Sequence, residues 1–124
     1  MTKNNILEIY IHIPFCKRKC KYCDFLSFTC SENMQKRYMD ALKKEISVKS
    51  LDYRSYVVTS VFIGGGTPSI VNPLWMKELM ELVFREFTVS ETAEITMEMN
   101  PGTVTEESLR IYKEAGINRL SMGL

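Results

Sequence analysis

The chain has 124 residues, enough for about one domain, and its 45% hydrophobic and 25% charged residues are those of an ordinary globular protein. Sixteen Lys and Arg against fifteen Asp and Glu leave a formal charge of +1, which excludes a strong electrostatic pull toward nucleic acid or an anionic membrane. No apolar run approaches the ~20 residues of a transmembrane segment, and Lys3, Asn4 and Asn5 before a run broken by Glu8 and His12 make a poor signal peptide. The expected location is therefore cytoplasmic and reducing, where four cysteines serve as ligands or free thiols rather than disulfides.

Ile6 to Pro14 reads as a first strand, with Leu7, Ile9, Ile11 and Ile13 on one face and Tyr10 and His12 on the other. A cysteine-rich loop follows. Ser31 is the expected N-cap of a first helix whose buried stripe is Met34, Tyr38, Leu42 and Ile46. Tyr56 to Ile63 is a β-branched second strand that ends at Gly64, Gly65 and Gly66.

Asn72 and Pro73 form an N-cap and first-turn pair opening a second helix to about Phe87, with Leu79, Leu82, Val83 and Phe87 inward. Ala93 to Met99 is a third strand, stopped by the turn signal Asn100-Pro101-Gly102. Thr105 caps a third helix, where Glu106 and Glu107 suit the positive end of the dipole, and Gly116 ends it. Ile117 to Met122 begins a fourth strand.

This βα alternation predicts an α/β protein with a parallel sheet covered by helices. Ligands on such sheets sit at the carboxyl ends of the strands. Each unusual segment follows or closes a strand: the cysteine loop, Gly-Gly-Gly-Thr-Pro, and Glu-Met-Asn-Pro. One rim carrying all of them implies one site. A sheet that stops at its fourth strand reads as unfinished, so the chain is expected to be part of a larger protein and not to fold stably alone.

Cys16, Cys20 and Cys23 form a C-x3-C-x2-C array, which can converge on one small inorganic body. Iron–sulfur clusters are held by cysteine thiolates, usually four, so three leave one iron open to a reactant. Lys17, Arg18, Lys19 and Lys21 offset the charge of such a cluster. A structural zinc site that adds Cys30 or His12 is an alternative, although zinc ligands usually come as two separated pairs. Unligated reduced thiols are another. Cys30, outside the array, reads as a partly buried free thiol, and His12 as a structural or a functional histidine.

Gly64-Gly65-Gly66-Thr67-Pro68 permits positive φ and close backbone approach, so its N–H and C=O groups can meet the amino or carboxylate group of a ligand. It matches neither the Walker A nor the dinucleotide fingerprint. Glu98, with Glu94, Thr96 and Asn100, forms a polar row in a strand that should be buried, the mark of a lined pocket or of an edge strand with one wet face. Arg119 and Ser121 suggest another such row.

These segments resemble the radical S-adenosylmethionine (SAM) superfamily. The carriers are Tyr10-Ile11-His12-Ile13-Pro14-Phe15-Cys16, Cys20 and Tyr22-Cys23, followed by Phe62 to Ser69, Glu98 to Pro101, and Gly116 to Gly123. Their order is similar to that of the branch holding the oxygen-independent coproporphyrinogen III oxidases and the heme chaperones (HemN/HemW-like).

The resemblance implies a (βα) barrel of the radical SAM type, with residues 1–124 forming the N-terminal part of the core domain, about three and a half of six units. It implies a [4Fe-4S] cluster on Cys16, Cys20 and Cys23, with SAM chelating the fourth iron. Tyr10 and Tyr22 stand where the family contacts SAM. Gly65, Gly66 and Thr67 match its amino-group-binding turn, and Glu98 an acidic SAM contact. The implied chemistry is reductive cleavage of SAM to methionine and a 5′-deoxyadenosyl radical, with an electron donor such as flavodoxin or ferredoxin.

Asp24-Phe25 follows Cys23, where the oxidases carry a further cysteine at the place of Phe25. That favours the heme-chaperone subgroup, with heme as a further ligand and His12 as a candidate for its site. Oxidation of a porphyrinogen and a non-catalytic metal-binding fragment are the alternatives.

Overall fold

The computed structural model describes residues 5–16 and 32–122. Its elements are β1 (Asn5–Ile13), α1 (Glu32–Ser50), β2 (Tyr56–Gly65), α2 (Pro73–Glu86), β3 (Thr88–Met99), α3 (Glu106–Glu114) and β4 (Arg119–Met122). Short 3-10 turns at Pro68–Ile70 and Pro101–Thr103 follow β2 and β3. The sheet order is β1-β2-β3-β4 and every pairing is parallel. The expected α/β class and three and a half βα units are both present. The start of α1 at Ser31 lies outside the described residues.

One face of the sheet meets the helices. Ile11, Ile13, Val61, Ile63, Ile95 and Met97 join Met39 and Ile46 of α1, Met76, Leu79, Met80 and Val83 of α2, and Tyr112 of α3 in one core. Val58 and Val61, three residues apart, are both buried because β2 bulges between Val58 and Ser60 against Glu8. An extra strand residue reverses the alternation, so both valines face the helices.

The other face holds rows of polar and aromatic residues set by register. Tyr10 pairs with Phe62, Phe62 with Thr96, and Thr96 with Arg119. One step toward the carboxyl ends, His12 pairs with Gly64, and Glu98 with Ser121. β3 is flanked on both sides, so its polar row is not the wet face of an edge strand.

The buried stripe of α1 differs from the expectation. Met34 is 47% exposed, while Gln35, Met39 and Ile46 are buried and Tyr38 and Leu42 partly so. A strict four-residue spacing drifts about 40° per step around a helix of 3.6 residues per turn. Met34 thus lies well round the helix from Ile46, and Met39 fills the inward place.

Helix α2 follows its signals: Asn72 caps it by accepting from the Leu74 amide at 2.9 Å, and Met76 and Met80 extend the expected inward set. At α3, Thr105 and Ser108 form a reciprocal capping box. Its end is a Schellman motif: the Gly116 amide donates to Lys113 O (3.0 Å) and the Ile117 amide to Tyr112 O (3.1 Å), with Gly116 at φ 94°. β3 begins at Thr88, five residues before the expected start, because Val57 and Val58 pair with Thr88 and Val89 ahead of an irregularity. Asn118 closes that irregularity, accepting from the Ile95 amide and donating to Ala93 O, both at 2.9 Å.

Tyr112 is 2% exposed and its hydroxyl has no hydrogen-bond partner among the described residues, the neighbouring Ser108 hydroxyl being engaged with Thr105. Burial raises its phenol pKa above the ordinary 10.0, and proximity to Ser108 offsets part of this. The unfolded chain therefore releases this proton first, and stability falls as pH rises past about 10. Tyr112→Phe removes an unsatisfied donor and is expected to leave stability unchanged or raise it by up to about 1 kcal/mol. It should also lose part of the alkaline destabilisation, which urea melts of the intact protein on either side of that pH would measure.

β1 and β4 each have one strand neighbour. On the helix side of β4, Leu120 is 39% and Met122 66% exposed. Open parallel edges next to exposed apolar side chains invite association. The 124-residue polypeptide by itself is expected to self-associate in sedimentation experiments; a monomer with a cooperative thermal transition would contradict this.

Candidate functional site

Because all four strands are parallel, Ile13, Gly65, Met99 and Met122 end on the same rim. Cys16 follows β1 there and is an exposed free thiol. Cys20, Tyr22, Cys23 and Cys30 lie outside the described residues. Among the described residues, no three His, Cys, Asp or Glu side chains gather as a metal site.

The glycine turn joins the other two segments. The Gly66 amide donates to Ile13 O at 2.7 Å and the Thr67 amide to Phe15 O at 2.6 Å. The turn is thereby tied to the residue preceding Cys16. On its other side, the Gly65 amide donates to Glu98 Oε1 at 3.0 Å. The end of β1 up to Cys16, the glycine turn and Glu98 thus converge, while the rest of the cysteine loop lies outside the described residues.

The glycines are there for space. Gly65 has φ 113°, and a Cβ on it would lie 2.6 Å from the His12 ring. A Cβ on Gly66 would overlap the Phe15 carbonyl oxygen and come within 3.0 Å of the Phe15 and Pro14 carbonyl carbons. At Gly64 it would meet Glu98 Oε1 at 2.6 Å. Without side chains, the turn packs directly against His12, Phe15 and Glu98, next to Cys16.

The sequence left open whether the turn offers donors or acceptors. The amides of Gly65, Gly66 and Thr67 are all engaged within the protein. Thr67 O also accepts from the Ile70 amide at 3.0 Å, so among the described residues the turn keeps the Gly66 carbonyl, which accepts from an ammonium and repels a carboxylate, and the Thr67 hydroxyl, which can accept or donate. The Glu98 carboxylate beside the turn adds to the preference for a cation.

Tyr10 stands exposed on the polar face, its ring stacked on Phe62 at 6.1 Å and its hydroxyl 3.1 Å from His12 Nδ1. His12, read as structural or functional, packs its ring over Gly65. Its backbone oxygen accepts from the Tyr38 hydroxyl at 2.5 Å. Burial, then the Glu45 charge and Tyr10, raise the Tyr38 pKa and keep that proton in place. Arg119 Nη1 lies 3.4 Å from Glu94 Oε1, one layer further from the rim.

Several supporting groups had no sequence signal. Ser69 reads as an ordinary loop serine, yet it accepts from the Asn100 amide at 3.1 Å and contacts the Thr103 hydroxyl. Tyr38 reads only as part of an apolar stripe. Phe62 could have been found, since strand alternation places it on the polar face.

Known proteins resemble the chain in sequence and in fold. The radical SAM superfamily model matches residues 10–124. The heme chaperone HemW of Buchnera aphidicola (subsp. Schizaphis graminum) is 40% identical over 125 residues, covering 100% of this chain and 33% of that protein. HemW of Escherichia coli (strain K12) is 39% identical with the same coverage. The mitochondrial radical S-adenosyl methionine domain-containing protein 1 of Danio rerio is 33% identical over 94% of this chain and 26% of that protein. Among solved structures, the E. coli coproporphyrinogen III oxidase HemN, described as a radical SAM enzyme, superposes with a TM-score of 0.86 at 32% identity, over 98% of this chain and 28% of that one. The chain spans about a third of the length of the HemW relatives it matches. With its parallel βα architecture and its glycine turn bonded to both flanking segments, the chain belongs to the radical SAM superfamily, in the HemN/HemW-like branch.

Proposed function

We propose that residues 1–124 form the cluster- and SAM-binding part of a radical SAM core domain, in a protein that binds and transfers heme. The observation that carries this reading is the glycine turn. It is bonded at once to Phe15, beside Cys16, and to Glu98, and the amides of Gly65, Gly66 and Thr67 are all spent within the protein. The donor set fits the cofactors: an exposed thiol suits a thiolate-held cluster, and a backbone carbonyl beside the Glu98 carboxylate suits the amino group of SAM.

Cys16, Cys20 and Cys23 would hold the [4Fe-4S] cluster. Gly65, Gly66 and Thr67 would take the SAM amino group, with Tyr10, Tyr22 and Glu98 as further contacts. Bound together, cluster and SAM supply one-electron reductive cleavage of a sulfur–carbon bond, given a donor of the flavodoxin or ferredoxin kind. The chain's own part is to orient the aminocarboxylate, keep water from the rim and hold Cys16 in place. Among the described residues, no helix is long and apolar enough to cross a membrane. We place the protein in the cytoplasm on its balanced charge and its free Cys16 thiol.

Heme transfer is preferred to oxidation because Phe25 stands where the oxidases carry a cysteine and because the HemW relatives are named heme chaperones. The oxidase reading is supported by the superposition on HemN. Anaerobic reconstitution of the intact protein is expected to give iron and sulfide in cluster ratio and an EPR signal when reduced. Zinc in place of iron would remove the proposal. Dithionite with SAM should then yield 5′-deoxyadenosine. Stoichiometric heme uptake without decarboxylation of coproporphyrinogen supports the chaperone; decarboxylation supports the oxidase.

A further inference from the structure

The paired register of β3 with β2 runs from Thr88 to Met97, which pairs with Ile63. Glu98, Met99 and Asn100 therefore leave that ladder just where the site begins. On the β4 side, Glu98 and Met99 remain paired with Ser121 and Met122. On the β2 side the work passes to side chains.

Ser69 sits in the 3-10 turn after the glycine segment and is 4% exposed. Its Oγ accepts from the Asn100 amide at 3.1 Å and contacts Thr103 Oγ1. Thr103 Oγ1 in turn donates to Asn100 O at 2.6 Å. These contacts permit one arrangement of protons. The Asn100 N–H donates to Ser69, the Ser69 hydroxyl to Thr103, and the Thr103 hydroxyl to the Asn100 carbonyl. The circuit closes on the residue two places after Glu98.

We infer that Ser69 and Thr103 are positioning residues, a hydroxyl latch that fixes the end of β3 against the glycine turn and so sets Glu98 relative to Gly65 for SAM. A hydrogen bond to a carboxylate is sensitive to small displacements of its partner. With the ladder finished, the latch and the Gly65–Glu98 bond join the two segments on this side. The inference rests on the SAM-site reading above, and its test separates the two.

The test uses the intact protein, reconstituted without air, as wild type, Ser69→Ala, Thr103→Val, Thr103→Ser and the Ser69→Ala/Thr103→Val double variant. In Ser69→Ala and Thr103→Val, hydrogen exchange at the Asn100 amide should quicken about tenfold or more while the Ile95 amide keeps its rate. The KM for SAM cleavage should rise about tenfold, with kcat and iron content within about twofold of wild type. Thr103→Ser, which keeps the hydroxyl, should behave as wild type. The double variant should show the loss of one single variant and not the product of two, since the groups act as a unit.

Unchanged exchange at Asn100 overturns the latch. Faster exchange with unchanged KM overturns its positioning role while the SAM site stands. A cluster-loaded wild type that does not bind SAM overturns the site reading, and the inference with it. Should Ser69→Ala fail to fold, the near-isosteric Thr103→Val against Thr103→Ser gives the same decision.

Discussion

Gly66→Ala is expected to abolish cluster assembly in the intact protein while Gly64→Ala largely preserves it. A Cβ at Gly66 would overlap the Phe15 carbonyl oxygen, which is backbone and cannot rotate away. Relief requires the turn and the residues after β1 to separate. That breaks the bonds from Gly66 N to Ile13 O and from Thr67 N to Phe15 O. Two lost backbone hydrogen bonds and the residual overlap make a cost of about 2–4 kcal/mol. The displaced neighbour is the residue before Cys16, so the damage falls on the thiolate that should face the cluster.

At Gly64 a Cβ would meet the Glu98 carboxylate and the Phe62 ring, side chains that can move. Gly65→Ala should resemble Gly66→Ala, since φ 113° is strained for any side chain and the His12 ring blocks the space. Iron and sulfide counts after anaerobic reconstitution decide the matter. Equal cluster content in Gly66→Ala and wild type would show that the contact of the turn with Phe15 does not hold Cys16 in place.

Glu98→Ala should weaken SAM binding by about 10–100-fold and Glu98→Gln by about tenfold, with only the alanine variant losing stability. The alanine leaves the exposed Gly65 amide to water in place of its carboxylate acceptor, a loss of about 0.5–1.5 kcal/mol. Glutamine keeps an acceptor for that amide and removes the charge. The difference between the two variants thus separates support of the turn from attraction to a cationic ligand. Equilibrium SAM binding to the reconstituted protein, with thermal melts alongside, measures both. A glutamine variant that binds SAM as tightly as wild type would reduce Glu98 to a structural role.

Local chemistry made much of the fold legible. Asn72-Pro73, Thr105 and Gly116 stand where a helix must satisfy its free amides and carbonyls, and each performs that role. The βα alternation fixed the class, and the four segments quoted from Tyr10 to Gly123 fixed the family. Less legible was whatever depends on how one element is turned against another. Met34 took a place in the expected stripe of α1 that Met39 fills, because spacing by fours ignores the drift of a 3.6-residue helix. The start of β3 was missed because an irregularity interrupts its alternation.

In the site, the residue types were determined by the sequence alone: a cysteine at the end of a strand, glycines after the next, a carboxylate in the third. Their chemistry is carried by single residues and needs no partner to be recognised. Only the tertiary structure decided that the amides of the turn are spent within the protein, since that follows from where Gly65, Gly66 and Thr67 find acceptors at Glu98, Ile13 and Phe15. It alone decided that Ser69 and Thr103 meet across 34 residues of chain. A hydrogen bond joins atoms that are close in space, and for segments distant in sequence that closeness is settled by packing.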